Sequence, residues 1–161
     1  MNKFYTLVNK LSLWGAYLSA LLLISLVVLI LVEIFIRYFF DMSTMIADEY
    51  SGYLYLASIF LGLAYAFTQD AHIRINIITS KIGKKANSIV DVIAGVITIV
   101  VLGFALFRTI LFTYDSYEME MVSESVSETP LYLTQMVMPI GIILFILAVL
   151  AFVFKGLKND I

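Results

Sequence analysis

Mapped by where charge falls, the chain divides into four long silent stretches. No Asp, Glu, Lys, Arg or His interrupts Leu11 to Val32, Tyr50 to Gln69, Val92 to Phe107 or Thr129 to Phe154. Roughly 17 to 25 predominantly apolar residues in helical conformation cross a bilayer, so each stretch predicts a transmembrane helix. The spans fall near 13–36, 50–69, 89–111 and 133–154, the third being slightly short unless Asp91 and Arg108 reach outward to the headgroups. The predicted class is an all-α integral membrane protein with four transmembrane helices, residues 1–161 forming a single membrane domain.

Shorter periodic segments flank the spans. Phe4, Leu7, Val8 and Leu11 fall at i, i+3, i+4 and i+7, one helical face, with Lys3 and Lys10 elsewhere. They predict a short interfacial amphipathic helix that feeds the first span and sets Trp14 at the inner headgroup level. Ile75, Ile78, Ile82 and Ala86 repeat the pattern after the second span, beside Lys81, Lys84 and Lys85. Ile73, Ile75 and Ile77 also alternate as a strand would, but a strand edge in lipid would leave backbone groups unpaired, which favours a second interfacial helix. Across the membrane, Tyr114, Tyr117, Met121 and Val122 share a helical face and predict an extension of the third helix or a surface helix, then a turn at Pro130. Pro139 predicts a kink in the fourth span unless the helix begins there.

Composition agrees: 62% of the 161 residues are hydrophobic, against about 45 to 50% in soluble domains, and the mean hydropathy is +1.01. The first apolar run exceeds the roughly 7 to 15 residues of a signal-peptide core and lacks an A-x-A cleavage signature, so it is expected to remain as a helix. There is no cysteine, which removes disulfides, thiolate metal sites and cysteine nucleophiles. Lys3, Lys10, Arg74, Lys81, Lys84, Lys85, Lys155 and Lys158 lie on one side of the four spans, and only Arg37 and Arg108 on the other. The positive-inside rule then puts both termini in the cytoplasm. The far side carries Asp41, Asp48, Glu49 and the acidic segment from Asp115 to Glu128.

Few side chains offer chemistry. Glu33 lies roughly 28 Å along the helix from Trp14, near the outer surface, and Arg37 four residues on has the spacing of an ion pair on one face. Arg108 is expected level with Glu33, Asp48 and Glu49, to pair with one of them or with another subunit, or to snorkel to the headgroups. Ser58, Gly62 and Ala66 form a strip of small residues that admits a neighbouring helix, and Gly95 and Gly103 are read the same way on the third helix. The lone histidine, His72, stands with Asp70 and Arg74 where the second span leaves the membrane on the inner side, as a polar interfacial group rather than a ligand or base. No catalytic residue, cofactor site, metal site or nucleic-acid partner is expected, no charge falls near a span centre, and no helix pair is broken by Gly or Pro as at a transporter midplane site. Such a chain works through a partner and membrane lipid, and is not an enzyme.

The stretch "RYFFDMSTMIADEYSGYLYLASIFLGLAYAFTQDAHIRINII" resembles the small membrane subunit of tripartite ATP-independent periplasmic (TRAP) transporters. In that family an Arg-aromatic pair ends the first helix, W-x-E-E opens the second, F-L-G-x-A lies within it, and H-[IV]-x-[IV]-D follows it. Arg37 and Tyr38 match the first element, Asp48 and Glu49 the acidic pair, Phe60, Leu61, Gly62 and Ala64 the third, and His72, Ile73, Arg74 and Ile75 most of the last. Pro130, Pro139, Ile140 and Gly141 resemble the family's entry to the fourth helix, whereas Ile46, Thr68 and Asn76 stand where Trp, Arg and Asp are usual.

The resemblance implies a sodium-coupled importer of organic acids in the bacterial inner membrane. A periplasmic substrate-binding protein captures the substrate, a large membrane transport subunit carries it inward, and the small subunit is a companion scaffold. His72 and Arg74 then fix the turn into the interfacial helix or contact the large subunit. Two other classes fit four spans: a small proton-coupled multidrug exporter, which needs a mid-membrane glutamate and tight loops, and a non-transport adaptor that binds a soluble partner through the acidic outer segment.

Overall fold

The computed structural model describes residues 2–69 and 84–159. These form five helices: α1 (Asn2–Phe40), α2 (Ala47–Thr68), α3 (Lys84–Glu118), α4 (Leu131–Gln135) and α5 (Val137–Asn159). Among the described residues there is no strand, only an isolated antiparallel bridge from Val122 to Pro130. Four stretches, Phe4–Phe40, Ala47–Thr68, Ile89–Glu118 and Leu131–Phe154, are long and apolar enough to cross a membrane. The all-helical, four-span class expected from the charge-free runs is therefore the one adopted.

The separate amphipathic helix expected at the N-terminus is not there. Nothing from Asn2 to Trp14 breaks a helix, and α1 runs unbroken for 39 residues, about 58 Å at 1.5 Å per residue. Its buried face also differs from the most apolar one. Val8 joins Ala64, Ala148 and Ala151 in a cluster flanked by Tyr5, Phe67, Leu144 and Leu147, while Phe4, Leu7 and Leu11 stay exposed. The sheltered positions run Val8, Ser12, Gly15, Ser19, Leu22, Leu26, Leu29, Glu33, alternating steps of four and three. That period keeps one narrow seam against neighbours packed nearly along the same axis.

Small residues set the crossings. A Cβ on Gly15 would stand 2.7 Å from the Leu61 carbonyl oxygen, so α1 lies almost directly on the α2 backbone. One turn on, Ser19 Oγ donates to the Ser58 carbonyl at 2.6 Å, and a Cβ on Gly62 would meet Ser19 Oγ at 3.0 Å. Ser58 and Gly62 thus receive α1, with Ala66 half-buried below them. Gly141 brings α5 against α2, where a Cβ would sit 2.5 Å from the Phe60 carbonyl oxygen, and Gly95 brings α3 against Val153 of α5. Gly103, expected to act like Gly95, faces open space; eight residues on, an ideal helix has turned about 80° away from the contact. In lipid, where apolar burial alone does not hold helices together, such close backbone approach supplies the attraction.

α3 is the extension of the third span rather than a separate surface helix, running to Glu118 and leaving Met121 and Val122 in the following loop. The Glu120 amide bonds to the Tyr117 carbonyl at 3.2 Å and the Met121 amide to the Ser116 carbonyl at 3.0 Å. Glu120 has φ 48, so a glutamate fills the left-handed position of a Schellman cap. Pro139 is the third residue of α5, which follows a break at Met136. Its absent N–H falls in a first turn that needs none, so the helix starts there instead of kinking.

α2 and α5 are central. α1 packs along α2 and touches α5, while α3 rests chiefly on α5. The result is an open array with α1 and α3 at its edges. The segment carrying Asp70, His72, Arg74, Ile75, Ile78 and Ile82 lies outside the described residues, and Ala86, expected in the same interfacial helix, falls within α3.

Candidate functional site

At the end of the array where α1 stops and α2 begins, two carboxylates each gather a loop. Glu33 is almost fully buried at the end of α1's seam. Its Oε1 accepts from Arg37 Nε at 3.0 Å and Ser43 Oγ at 2.6 Å. Its Oε2 accepts from the Thr44 amide at 3.1 Å and from Thr44 Oγ1. The Glu33–Arg37 pair has the i,i+4 geometry its spacing predicts. Ser43 Oγ also accepts the Met45 amide at 3.2 Å. The reach is short, from the last turns of α1 to the loop just beyond. Asp41 turns the chain there with φ 52 and Met45 with φ 58.

Glu49, in the first turn of α2, reaches much farther along the chain. Tyr53 Oη donates to Oε1 at 2.5 Å from one turn below. Ser127 Oγ donates to Oε2 at 2.8 Å, and Ser125 Oγ donates to the same oxygen. Beside it, Tyr50 Oη and Thr129 Oγ1 share a hydrogen bond of 3.0 Å. Ser123, Ser125, Ser127 and Thr129 alternate along the loop, and their hydroxyls link in sequence at 3.2, 2.8 and 2.9 Å. The loop is itself closed: the Ser123 amide bonds to the Thr129 carbonyl at 2.9 Å and the Leu131 amide to the Met121 carbonyl at 3.0 Å. A cleft of about 560 Å³ opens next to Glu49, lined by Tyr53, Met121, Ser123, Ser125 and Leu131.

These contacts explain why hydroxyl residues alternate in "SESVSET". The loop turns on itself, with the Glu128 amide bonded to the Ser125 carbonyl at 3.2 Å and Glu128 at φ 44, and shelters Ser123, Ser125, Ser127 and Thr129 on the side of Glu49 while Glu124, Val126 and Glu128 stay exposed. Read as an acidic segment, this stretch hid its hydroxyls; their period of two was the available signal. A carboxylate that gathers three or four donors is arranged to hold a loop, and carrying a proton across a membrane would mean breaking those bonds. Glu33 also stands at the end of α1 rather than at its centre, unlike the glutamate an exporter of this size requires.

Asp48 is exposed at the start of α2, where its carbonyl accepts Ser51 Oγ at 2.9 Å. Arg108 departs from its expected place. Tyr117 stacks edge-on against Tyr132 with centroids 5.3 Å apart, which fixes the Glu118 end of α3 beside α4, well beyond Arg108. Nine residues nearer the other end, Arg108 lies about 14 Å down the helix from that contact. It is therefore not level with Glu33, Asp48 or Glu49, because α3 continues past it to Glu118. Its side chain is exposed, and among the described residues no ion pair or hydrogen bond holds it. His72 and Arg74 lie outside the described residues. Among the described residues, no cluster of three or more His, Cys, Asp or Glu has the arrangement to hold a metal ion.

A four-span helical protein whose polar groups fasten its own loops has the form of a membrane component. Residues 26–159 match the family described as tripartite ATP-independent periplasmic transporters, DctQ component, and the chain belongs to that family. It is also 24% identical over 121 residues to a protein of Haemophilus influenzae described as a TRAP transporter small permease protein, a match covering 75% of this chain and 73% of that relative. The resemblance seen at Arg37–Ile75 and Pro130–Gly141 thus extends over most of the molecule.

Proposed function

We propose that this chain is the stationary small subunit of a sodium-coupled importer of organic acids. It sits in the bacterial inner membrane as a single membrane domain with both termini in the cytoplasm. Its partners are a large membrane transport subunit, which carries substrate and sodium, and a periplasmic protein that captures the acid. The observation that carries this reading is the family match combined with where polar groups are spent. Glu33 and Glu49 lie at one end of the helices and each holds several of the chain's own donors, so the spans provide a frame and leave substrate handling to others. The long α1 and α3 at the edges of the array suit a broad support for a moving neighbour.

Two measurements test it. Co-expression with the large subunit is expected to yield a complex stable to detergent extraction, and separate elution of the two chains would count against the assignment. Because the chain has no cysteine, single cysteines at Asn9 and Ser127 report orientation without background. A membrane-impermeant maleimide applied from the periplasmic side should label Ser127→Cys only, whereas labelling of Asn9→Cys would reverse the topology.

A further inference from the structure

α3 shows two stripes about a third of a turn apart. One, through Gly95, Leu102, Leu106, Thr109 and Ser116, is buried or half-buried and packs on α5 and α4. The other runs Ile97, Val101, Phe104, Arg108, Phe112 in steps of four, three, four and four, and every member is exposed. This face is apolar and aromatic apart from a single guanidinium. Interpolating between Gly95 at Val153 and Tyr117 at Tyr132, Arg108 stands about level with Gly141, which itself touches Phe60 well inside α2.

An ionised side chain at such a position is costly, and in membrane proteins it normally faces other helices or a wet cavity and finds a partner. Here it faces outward, and no ion pair or hydrogen bond holds it among the described residues. α1, the other edge helix, presents no comparable group, since its exposed apolar stretch carries no charge between Lys10 and Glu33.

We infer that the outward stripe of α3 is the docking face for a membrane helix of the large transport subunit, one that brings a carboxylate or the carbonyls of a helix C-terminus to Arg108. This rests on the small-subunit reading above. The phenylalanines at i−4 and i+4 exclude lipid and water from the ion pair, which strengthens it. A planar guanidinium suits the paired acceptors of a carboxylate better than a lysine would.

The full chain co-expressed with its large subunit provides the test. Arg108→Leu is expected to lower the amount of co-purified large subunit by at least roughly tenfold, with Arg108→Lys between the two, while helical content and monodispersity of the chain alone are unchanged. A second readout leaves Arg108 in place: single cysteines at Phe104 and Phe112 should crosslink to the large subunit, and cysteines at Ile24 and Val28 on α1 should not. Failure of the unaltered chain to co-purify overturns the small-subunit reading and this inference together. Normal co-purification of Arg108→Leu, with crosslinking only from α1, overturns the inference and leaves the small-subunit reading standing. Loss of a bound anionic phospholipid from Arg108→Leu in native mass spectrometry, with association intact, makes the occupant a headgroup and also overturns it.

Discussion

Glu33 and Glu49 lie at the same end of the array and do chemically similar work, yet they bind different scales of structure. Glu33 draws in groups no more than eleven positions away, so its contacts shape a turn between two adjacent helices. Glu49 draws in Ser125 and Ser127, 76 and 78 positions away, so its contacts join α2 to the connection between α3 and α4. A turn between neighbouring helices has little chain entropy to overcome, since closure entropy grows with loop length. The long-range clasp is the one whose loss changes how the array is assembled, and the two can be separated by experiment.

The largest effect is expected from Gly141→Leu. A Cβ there would already press on the Phe60 carbonyl, and a full side chain would force α5 from α2, a change of about 1 to 3 kcal/mol or more. Thermal unfolding should fall accordingly, and amide exchange should rise across 121–131 while 43–45 stay protected. Equal deprotection of both loops would show that the clasps are not independent.

Next comes Glu49→Ala, which leaves three hydroxyls without their acceptor. Hydrogen exchange at Ser123, Thr129 and Leu131 should accelerate severalfold and the melting temperature should drop more than in Glu33→Ala, whose exchange change should stay within 41–46. The reverse ranking would undo the contrast between local and long-range fastening. Ser125→Ala and Ser127→Ala should each have a smaller effect, because both donate to one carboxylate oxygen, and the double variant should approach Glu49→Ala. Smallest and opposite in sign is Glu120→Gly. A non-glycine residue in the left-handed cap carries about 1 kcal/mol of strain, so the glycine variant should unfold at a slightly higher temperature, with a lower one excluding strain at that cap.

The sequence carried the class and number of helices because charge is excluded from spans; Leu11–Val32 needs no further decoding. It carried the Glu33–Arg37 pair and the Ser58–Gly62 strip because both are set by spacing within one helix. It did not carry the face of α1 that packs. Where a helix is apolar all round, hydrophobicity holds no directional signal, and only Ser12, Gly15 and Ser19 hinted at the seam. Arg108 was misplaced for a related reason: Tyr114 and Tyr117 suit either a helix extension or a surface helix, and extension moves Arg108 away from the acidic level. Glu49's partners were out of reach because no local rule connects residues 76 positions apart. Their alternation could have shown which hydroxyls act together, though not what they face.

The most direct test of the central claim is substrate uptake in proteoliposomes containing the large membrane subunit and supplied with the periplasmic binding protein, with and without this chain, under an inward sodium gradient. Uptake that appears only when this chain is included, and that collapses without the gradient, is the predicted result. Full uptake by the other two components alone would contradict it.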